Sequence, residues 1–379
     1  MENKGKVSKF KILANYLKSE KKPIIILKHH FDGDGNTSVA IIERLLLDLG
    51  LRYRKISVVQ NKYTIFDLVN DKVFFKNLSE KQDLKGTPVI IFLIDYGSYE
   101  ETSINLISLK KYLEELGTIP FFVLIDHHPI ENKKLLTRAF DLIYHHYEKN
   151  TSFLAREFYF KLIKALNYEP PKKSIYFVHE ISYIGVLSDN FEELLPLFSF
   201  SDKKREELVK KYYVMEYLFN ISKFTEKNLG VLEDIVFNFR GYSKLSSYLE
   251  TKLADFINKA KSYIKEKEKI KDIVIKELEI DNINFRNLLF PNPKLFLRFL
   301  HEDNEILIAW KKGYIMLRAG KNVDIDFRGL LYIKEKYISN VGGHRRRFAL
   351  NFPENLTDKI MEEVLNFIKK NAKILKKSK

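Results

Sequence analysis

Short β-branched runs alternate with longer amphipathic segments through the first half of this 379-residue chain. A helix predicted after the first run has Asn36 or Thr37 as its N-cap and Gly50 as its end. This alternation is typical of a parallel sheet with crossover helices, so we predict an α/β fold. Strands are predicted at residues 24–28, 55–59, 89–94, 120–125 and 140–144.

The second half of the chain has a different pattern. Helical periodicity without a strong strand signal extends from residue 173 to residue 269. The mostly charged segment 261–271 predicts a solvated connector. We therefore predict two domains, 1–268 with a helical second half and a smaller one at 269–379 that ends in a basic tail. Strand character resumes at residues 272–279, 295–299, 306–310 and 314–317.

Composition limits the partners and the chemistry. With 65 Lys and Arg against 50 Asp and Glu, the formal charge of +15 favours a polyanion such as nucleic acid. A thermophile's Lys-rich composition is an alternative reading, and the terminal lysines fit a solvated tail as well as a strand-binding arm. The absence of cysteine excludes disulfides and thiolate sites. Since no apolar run approaches the roughly 18 residues of a membrane span and no secretory signal is visible, we expect a cytoplasmic protein.

Four clusters of carboxylates and histidines follow predicted strands or lie near a helix. The carboxyl ends of parallel strands are where α/β sheets bind ligands. Each cluster alone fits a turn or a helix cap, but together they concentrate negative charge that cations would neutralise. Oxygen and imidazole donors without sulfur favour Mn²⁺ or Mg²⁺ over structural zinc. The clusters are His30, Asp32 and Asp34; Asp95; Asp126, His127 and His128; and Asp189.

These clusters form ordered motifs: H-x-D-x-D-G from His30, D-x-G-S from Asp95, D-H-H-P from Asp126, and G-x-x-x-D ending at Asp189. In this order they resemble the motifs of the DHH phosphoesterase superfamily. A late Gly-Gly-His at 342–344, preceded by an arginine on a predicted strand, is similar to the G-G-G-H signature of that superfamily's associated C-terminal domain. The spacing of the first motif most resembles RecJ-like nucleases of archaeal type.

The resemblance implies roles for individual residues. Asp95 would bridge two divalent ions, Mn²⁺ or alternatively Mg²⁺. His128 would face the substrate phosphate, and Asp126 would hold a histidine ring in the required tautomer. One ion would be held by His30, Asp32 and Asp95, and the other by Asp34, Asp95, His127 and Asp189.

The resemblance also implies that a smaller α/β domain binds substrate phosphate across a cleft. Arg345 lies where relatives carry small residues, so it either adds a phosphate contact or lies in solvent. Val341 replaces the first glycine of the signature, which makes close backbone approach to phosphate less certain. The implied substrate-binding residues are Arg318, Gly342, Gly343, His344 and Arg345.

We therefore predict a metal-dependent exonuclease that hydrolyses single-stranded DNA, RNA or both to nucleoside monophosphates by a two-metal mechanism. The RecJ-like first motif, the basic charge and the helical insertion favour a polymeric substrate. An oligoribonuclease or a nucleotide 3′-phosphatase is the alternative enzyme. A non-catalytic scaffold of a replication complex is the alternative of another class, although it predicts eroded metal ligands. Replication or repair proteins are further candidate partners.

Overall fold

The chain divides into two compact units, Met1–Ser246 and Ser247–Lys379. The computed structural model describes residues 8–58, 62–189, 191–221, 228–283, 290–291, 293–337 and 340–375. The predicted domain boundary near residue 268 falls inside the second unit. No helix in the described part of the chain has the length and apolarity that crossing a membrane requires.

A five-stranded parallel sheet forms the centre of the first unit. Its strands are β1 (Ile24–His30), β2 (Arg54–Val58), β3 (Pro88–Ile94), β4 (Ile119–Asp126) and β5 (Leu142–His145). Their spatial order is β2-β1-β3-β4-β5. Strand β2 is added on one side of β1, and β3, β4 and β5 are then added on the other side. The carboxyl ends of β1 and β3 therefore flank the position where ligands bind in such sheets. The predicted α/β fold is confirmed.

Helices cover both faces of this sheet, which is why β3 is apolar and buried throughout. The third to fifth helices join one hydrophobic cluster with β1, β3 and β4. The second, sixth and seventh pack against one another on the other side. The helices of this unit are α1 (Lys9–Leu17), α2 (Gly33–Asp48), α3 (Ile65–Ser79), α4 (Glu100–Glu115), α5 (Lys133–Ala139), α6 (Thr151–Leu166), α7 (Lys172–Ser188), α8 (Asp202–Ile221) and α9 (Asn228–Phe237), with 3-10 turns at Glu192–Leu197 and Phe239–Tyr242.

The second unit is built on a mixed sheet. Its strands are β6 (Lys265–Ile270), β7 (Ile273–Glu279), β8 (Glu305–Lys311), β9 (Tyr314–Ala319), β10 (Val323–Asp324), β11 (Asn340–His344), β12 (Arg347–Asn351) and β13 (Lys373–Ile374). Six of them pair in the order β11-β12-β9-β8-β7-β6, and β10 pairs with β13. Strands β7 and β8 run parallel, whereas the other pairs in the described sheet are antiparallel.

Helices complete the core of the second unit. The last of them contributes Ile360, Val364 and Ile368 to the cluster that covers the sheet. The helices are α10 (Ser243–Lys261), which contains the division between the units, α11 (Pro293–Phe296), α12 (Tyr332–Tyr337) and α13 (Thr357–Asn371), with 3-10 turns at Ile280–Asn282, Leu297–Phe299, Phe327–Leu330 and Glu354–Leu356.

Two predictions for this region are wrong. The predicted connector at 261–271 contains strand β6, whose charged side chains suit a sheet edge that must not pair with other chains. The predicted strand at 295–299 is helical, with α11 followed directly by a 3-10 turn. Periodicity cannot distinguish a strand from a helix in so short an apolar run, and Pro293 favours the first position of a helix.

Candidate metal centre

The site begins where β1 passes into α2. Asp32 has an extended backbone and caps the helix, accepting a hydrogen bond from Gly35 N at 2.9 Å. The predicted caps, Asn36 and Thr37, are therefore wrong, since both lie inside the helix. The early start depends on glycine, because a Cβ at Gly35 would lie 2.2 Å from the carbonyl oxygen of His30.

Because α2 starts early, the side chains of the first motif do not all reach the site from an extended strand. Strand alternation would place His30, Asp32 and Asp34 on one side. In the structure Asp34 instead lies in the first turn of α2, where it is 2% exposed. The helical turn, rather than an extended strand, brings its carboxylate into the site.

A first group of ligand atoms surrounds His30. Its Nδ1 lies 3.1 Å from Asp32 Oδ2 and 3.7 Å from Asp95 Oδ2. Burial opposes the charged imidazole, but hydrogen bonds to the two carboxylates prevail and raise the pKa of His30 to about 11. In the absence of a cation, a proton on this ring balances the carboxylates.

A second group surrounds His127. Its Nε2 lies 3.4 Å from Asp95 Oδ1, 3.7 Å from Asp189 Oδ2 and 3.9 Å from Asp34 Oδ2. Burial opposes protonation, but the hydrogen bond to Asp95 and the charge of Asp189 raise the pKa of His127 to about 10. Burial and the charges of Asp95 and Asp189 also raise the pKa of Asp34. Negative charge is therefore concentrated here, as the sequence predicts.

Asp95 lies between the two groups. One carboxylate oxygen faces His30 and the other faces His127. Its backbone has φ +58°, in the left-handed region that costs a non-glycine residue about 1–3 kcal/mol. The backbone N–H of Asp95 donates to Ile125 O at 2.9 Å, so the turn is held by the neighbouring strand β4.

The N-terminus of α6 supports both central carboxylates. Asp34 accepts hydrogen bonds from Asn150 Nδ2 at 2.7 Å, from the backbone N–H groups of Thr151 and Ser152 at 2.8 Å each, and from Ser152 Oγ at 2.6 Å. Asp95 accepts one from Thr151 Oγ1 at 2.8 Å. All three donor residues are fully buried. Such donors fix the orientation of carboxylates that would bind metal.

The sequence analysis missed this support, because it assigned no role to residues 150–152. A local signal existed: Asn150 precedes an apolar periodic segment and caps α6 through a hydrogen bond from Phe153 N. The long-range contact with Asp34 has no sequence signal of its own.

His128 has a separate environment. Its Nδ1 lies 2.8 Å from Asp126 Oδ1, and Ser98 Oγ donates to Asp126 Oδ2 at 3.0 Å. Burial opposes both charges, but the two groups stabilise each other, so the pKa of His128 is raised and that of Asp126 is lowered. His145, to which the sequence analysis assigned no role, binds the His128 carbonyl oxygen through Nε2 at 2.7 Å.

The donor set is compatible with divalent cations. Three overlapping groups have ligand atoms within 4.8 Å of one another. Carboxylate oxygens and imidazole nitrogens without sulfur are the donors that suit Mn²⁺ or Mg²⁺. The three groups are His30, Asp32 and Asp95; Asp34, His127 and Asp189; and Asp95, His127 and His128.

The substrate-binding residues predicted near the C-terminus lie in the second unit. Arg318 is on β9 and is 5% exposed. Gly342 and Gly343 are on β11, as is the backbone of His344, whose side chain lies outside the described part of the structure. The guanidinium of Arg345 forms an ion pair with Asp324.

The two glycines differ in what they permit. Gly343 has φ +144°, and a Cβ there would lie 2.3 Å from Arg347 O, so this position requires glycine. Among the described residues, no atom lies within 4 Å of a Cβ built at Gly342. The described neighbours therefore leave space beside the backbone at this position of β11.

Comparisons with known proteins identify the fold. No protein-family model matches the sequence, and no curated protein matches it. A DHH domain described as a member of the S1p family of ribosomal proteins is similar over 96% of this chain and 91% of its own, with 19% identity and a TM-score of 0.71. RecJ from Thermus thermophilus, in complex with Mn²⁺, is similar over 98% of this chain, with 13% identity and a TM-score of 0.57.

The match spans 56% of the length of that RecJ. An exopolyphosphatase-related protein from Bacteroides fragilis is similar over 97% of this chain and 98% of its own, with 15% identity and a TM-score of 0.50. The chain therefore has the fold of DHH-domain proteins, RecJ among them, as expected from the resemblance of its motifs.

Proposed function

We propose that this chain, with the fold of DHH-domain proteins, is a metal-dependent phosphoesterase that acts as an exonuclease on single-stranded DNA, RNA or both. The product would be nucleoside monophosphates. The observation that carries the proposal is the position of Asp95, whose two carboxylate oxygens face His30 on one side and His127 on the other. One carboxylate between two donor groups is the arrangement that a pair of cations requires.

The proposed ligands follow from the two groups. Asp95 would contribute to both cations, which are Mn²⁺ in the leading proposal and Mg²⁺ in the alternative. Divalent cations in such a centre supply Lewis-acid polarisation of phosphoryl oxygens. His30 and Asp32 would complete the first ligand set, and Asp34, His127 and Asp189 the second.

His128 would act on the substrate rather than on a cation. Because Asp126 occupies its Nδ1, the ring can present Nε2 as a hydrogen-bond donor to a phosphate oxygen. The carboxylate also favours the protonated ring, which strengthens a hydrogen bond to an anionic oxygen. His128 and Asp126 thus form a proposed phosphate-binding pair.

The second unit would contribute further phosphate-binding groups. Arg318 supplies a fixed positive charge that can make two parallel hydrogen bonds to phosphate. Gly342 and Gly343, with His344, would offer backbone and imidazole donors, as implied by the motif. Arg345 would contribute only by exchanging its partner Asp324 for phosphate.

A nucleic-acid substrate is supported by charge. The formal charge of +15 raises the local concentration of polyanions, and single-strand binding that tracks the backbone needs basic surface rather than base-specific contacts. The RecJ of similar fold was solved with Mn²⁺, which agrees with the proposed metal.

The deciding experiment measures hydrolysis of single-stranded DNA and RNA with Mn²⁺, using lengths from a dinucleotide to a few tens of nucleotides. Each strand is labelled separately at either end, and Asp95→Ala serves as the inactive control. We expect progressive shortening of long strands, with the label released first identifying the polarity.

Cleavage restricted to the shortest substrates would replace the exonuclease proposal with the oligoribonuclease. Release of phosphate from a nucleotide 3′-phosphate alone would favour the phosphatase. Absence of turnover on every substrate would favour the non-catalytic scaffold. Substantial turnover by Asp95→Ala would contradict the assigned metal centre.

A further inference from the structure

A cavity of about 370 Å³ lies in the first unit. It is open to solvent on one side and is lined by residues of α6, of α7 and of the segment from the end of the 3-10 turn Glu192–Leu197 to Phe200. Its volume falls in the range of roughly 300–1,000 Å³ typical of small-molecule pockets. None of the residues predicted from the sequence to form the functional site lines it.

The described part of the cavity wall carries basic side chains and no carboxylate. Among the described residues that line it, Arg156, Lys172 and His179 are basic and none is acidic. Arg156 Nε is buried, and no hydrogen-bond partner for it is found in the described part of the chain. Its guanidinium carbon lies 5.2 Å from the ring centroid of Phe153 and 4.7 Å from that of Phe198. Because Arg156 is half-buried, an anion that reaches its guanidinium would gain a charged partner in partly desolvated surroundings.

Two carboxylates on the helices that line the cavity are engaged with other partners. Glu157 accepts hydrogen bonds from Lys149 Nζ at 2.7 Å and from Tyr144 Oη at 3.3 Å. Glu180 accepts one from Lys211 Nζ at 2.7 Å and forms a second ion pair with Lys204. Burial lowers the pKa values of Arg156 and His179, and the charge of Glu157 only partly opposes the shift of Arg156.

Apolar and aromatic side chains line the remainder of the cavity. Phe198 is buried and its ring stacks on Phe200 with an interplanar angle of 13°. Leu197 and Tyr176 are 57% and 44% exposed, so apolar surface is available at the entrance. Flat heterocycles pack well on such surface, because every nucleic-acid base has a face that can stack on an aromatic ring.

The cavity shares two helices with the metal centre. Helix α6 binds Asp34 and Asp95 at its first turn, and Arg156 lies about 7 Å further along the same axis at about 1.5 Å per residue. Helix α7 lines the cavity through His179 and has Asp189 as its C-cap. A nucleotide in the cavity would therefore lie near the metal centre without occupying it.

We propose that this cavity is a second nucleotide site, in which Arg156 and Lys172 bind a phosphate and the apolar wall binds the attached base. The ligand is either a free nucleoside monophosphate or a nucleotide of a strand whose scissile phosphate lies at the metal centre. The strand alternative rests on the proposed function, whereas binding of free nucleotide does not.

The test uses the full chain in EDTA, so that binding is measured without hydrolysis. Anisotropy of a fluorescently labelled AMP reports free nucleotide, and labelled single-stranded DNA of increasing length reports strands. The variants are Arg156→Gln and Lys172→Gln, the latter an exposed residue at the first position of α7 whose change leaves the core intact. Arg52→Gln is the matched control, because it removes the same charge at an exposed position outside the cavity.

We expect both cavity variants to weaken AMP binding by about tenfold or more, and the control to leave it unchanged. If AMP does not bind, a loss of affinity of the same size in both cavity variants, seen only with strands longer than a dinucleotide, identifies a strand subsite. Binding of AMP and of every strand with the control's affinity in both cavity variants would overturn the proposal.

The two proposals fail separately. If hydrolysis depends on Asp95 but the cavity variants bind as the control does, the cavity site is rejected and the nuclease proposal is retained. Binding of AMP that depends on Arg156, in a chain that hydrolyses no strand, would keep the cavity site and remove the nuclease.

Discussion

Thr151 connects both central carboxylates to the start of α6, and its hydroxyl can be removed alone. The hydroxyl donates to Asp95 Oδ1 at 2.8 Å, and the backbone N–H donates to Asp34 Oδ2 at 2.8 Å. Thr151→Val replaces the hydroxyl by a methyl group of similar size and keeps the backbone bond. The substitution therefore tests whether the α6 terminus orients Asp95 for metal.

The magnitude follows from the type of hydrogen bond. A hydrogen bond to a charged acceptor contributes about 1.5–3 kcal/mol. At 1.36 kcal/mol per factor of ten, a loss of about 2 kcal/mol corresponds to roughly 30-fold weaker Mn²⁺ binding. Loss of a residue that orients a metal ligand typically costs about 10–100-fold in affinity, which brackets this value.

Calorimetric titration of Mn²⁺ into the original chain and into the Thr151→Val variant at neutral pH measures the loss of affinity. Thermal unfolding in EDTA confirms that the fold is intact. Thr151→Ser is the matched control, because it keeps the hydroxyl and loses only the methyl group. We expect the Ser variant to bind within about threefold of the original chain. A Val variant that binds as tightly as the original, or a Ser variant as weak as Val, would refute the reasoning.

Three further predictions concern protons, packing and phosphate. Because the pKa values of His30 and His127 are raised to about 11 and about 10 without metal, Mn²⁺ must displace protons from both rings at neutral pH. Affinity should rise with pH below about 10, and titrations in buffers of different ionisation enthalpy should show proton release; pH-independent affinity would contradict this. Gly185→Ala should lower the free energy of unfolding by about 1–3 kcal/mol, because its Cβ would lie 2.0 Å from a serine hydroxyl oxygen of α6. Gly230→Ala should not lower it, because no atom of the described residues lies within 4 Å of a Cβ there; urea unfolding of both variants compares them. Arg318→Gln should raise KM for strand hydrolysis about tenfold with a smaller change in kcat, and steady-state kinetics that show neither change would exclude this arginine from substrate binding.

The buried carboxylates of the centre explain why protons and cations would compete for it. Asp34 and Asp95 are both almost fully buried, and the raised pKa of Asp34 has the neighbouring carboxylates as one cause. Protonated imidazoles balance part of that charge when no cation is bound. Backbone and side-chain donors from α6 balance another part, which lets several carboxylates share a buried site without unfolding it.

The sequence predicted the sheet of the first unit well because β1, β3 and β4 contain short apolar runs that are followed by polar turns. The prediction failed at 295–299, where a short apolar run fits a strand and a helix equally well. It also failed at Lys265–Ile270, where charged side chains hide the strand pattern. It also misplaced the start of α2, because glycines allow Asp32 to cap a helix several residues earlier than the pattern of apolar positions suggests.

The candidate ligands could be named from the sequence, since carboxylates and histidines directly after strands must meet at one edge of a parallel sheet. Their spacing could not reveal that α6 would hold Asp34 and Asp95, because Asn150 and Thr151 are far from both in the chain. Nor could it reveal the basic cavity, whose residues carry no shared motif.

The sequence by itself thus determined the local elements and the kinds of donor at the strand ends, because both depend on periodicity and on residues next to each other. Only the tertiary structure decided which oxygen of Asp95 faces which histidine, which donors orient Asp34, and which basic side chains line the cavity beside α6. Those contacts arise when helices α2, α6 and α7 pack together, and packing between distant segments leaves no periodic trace in the chain.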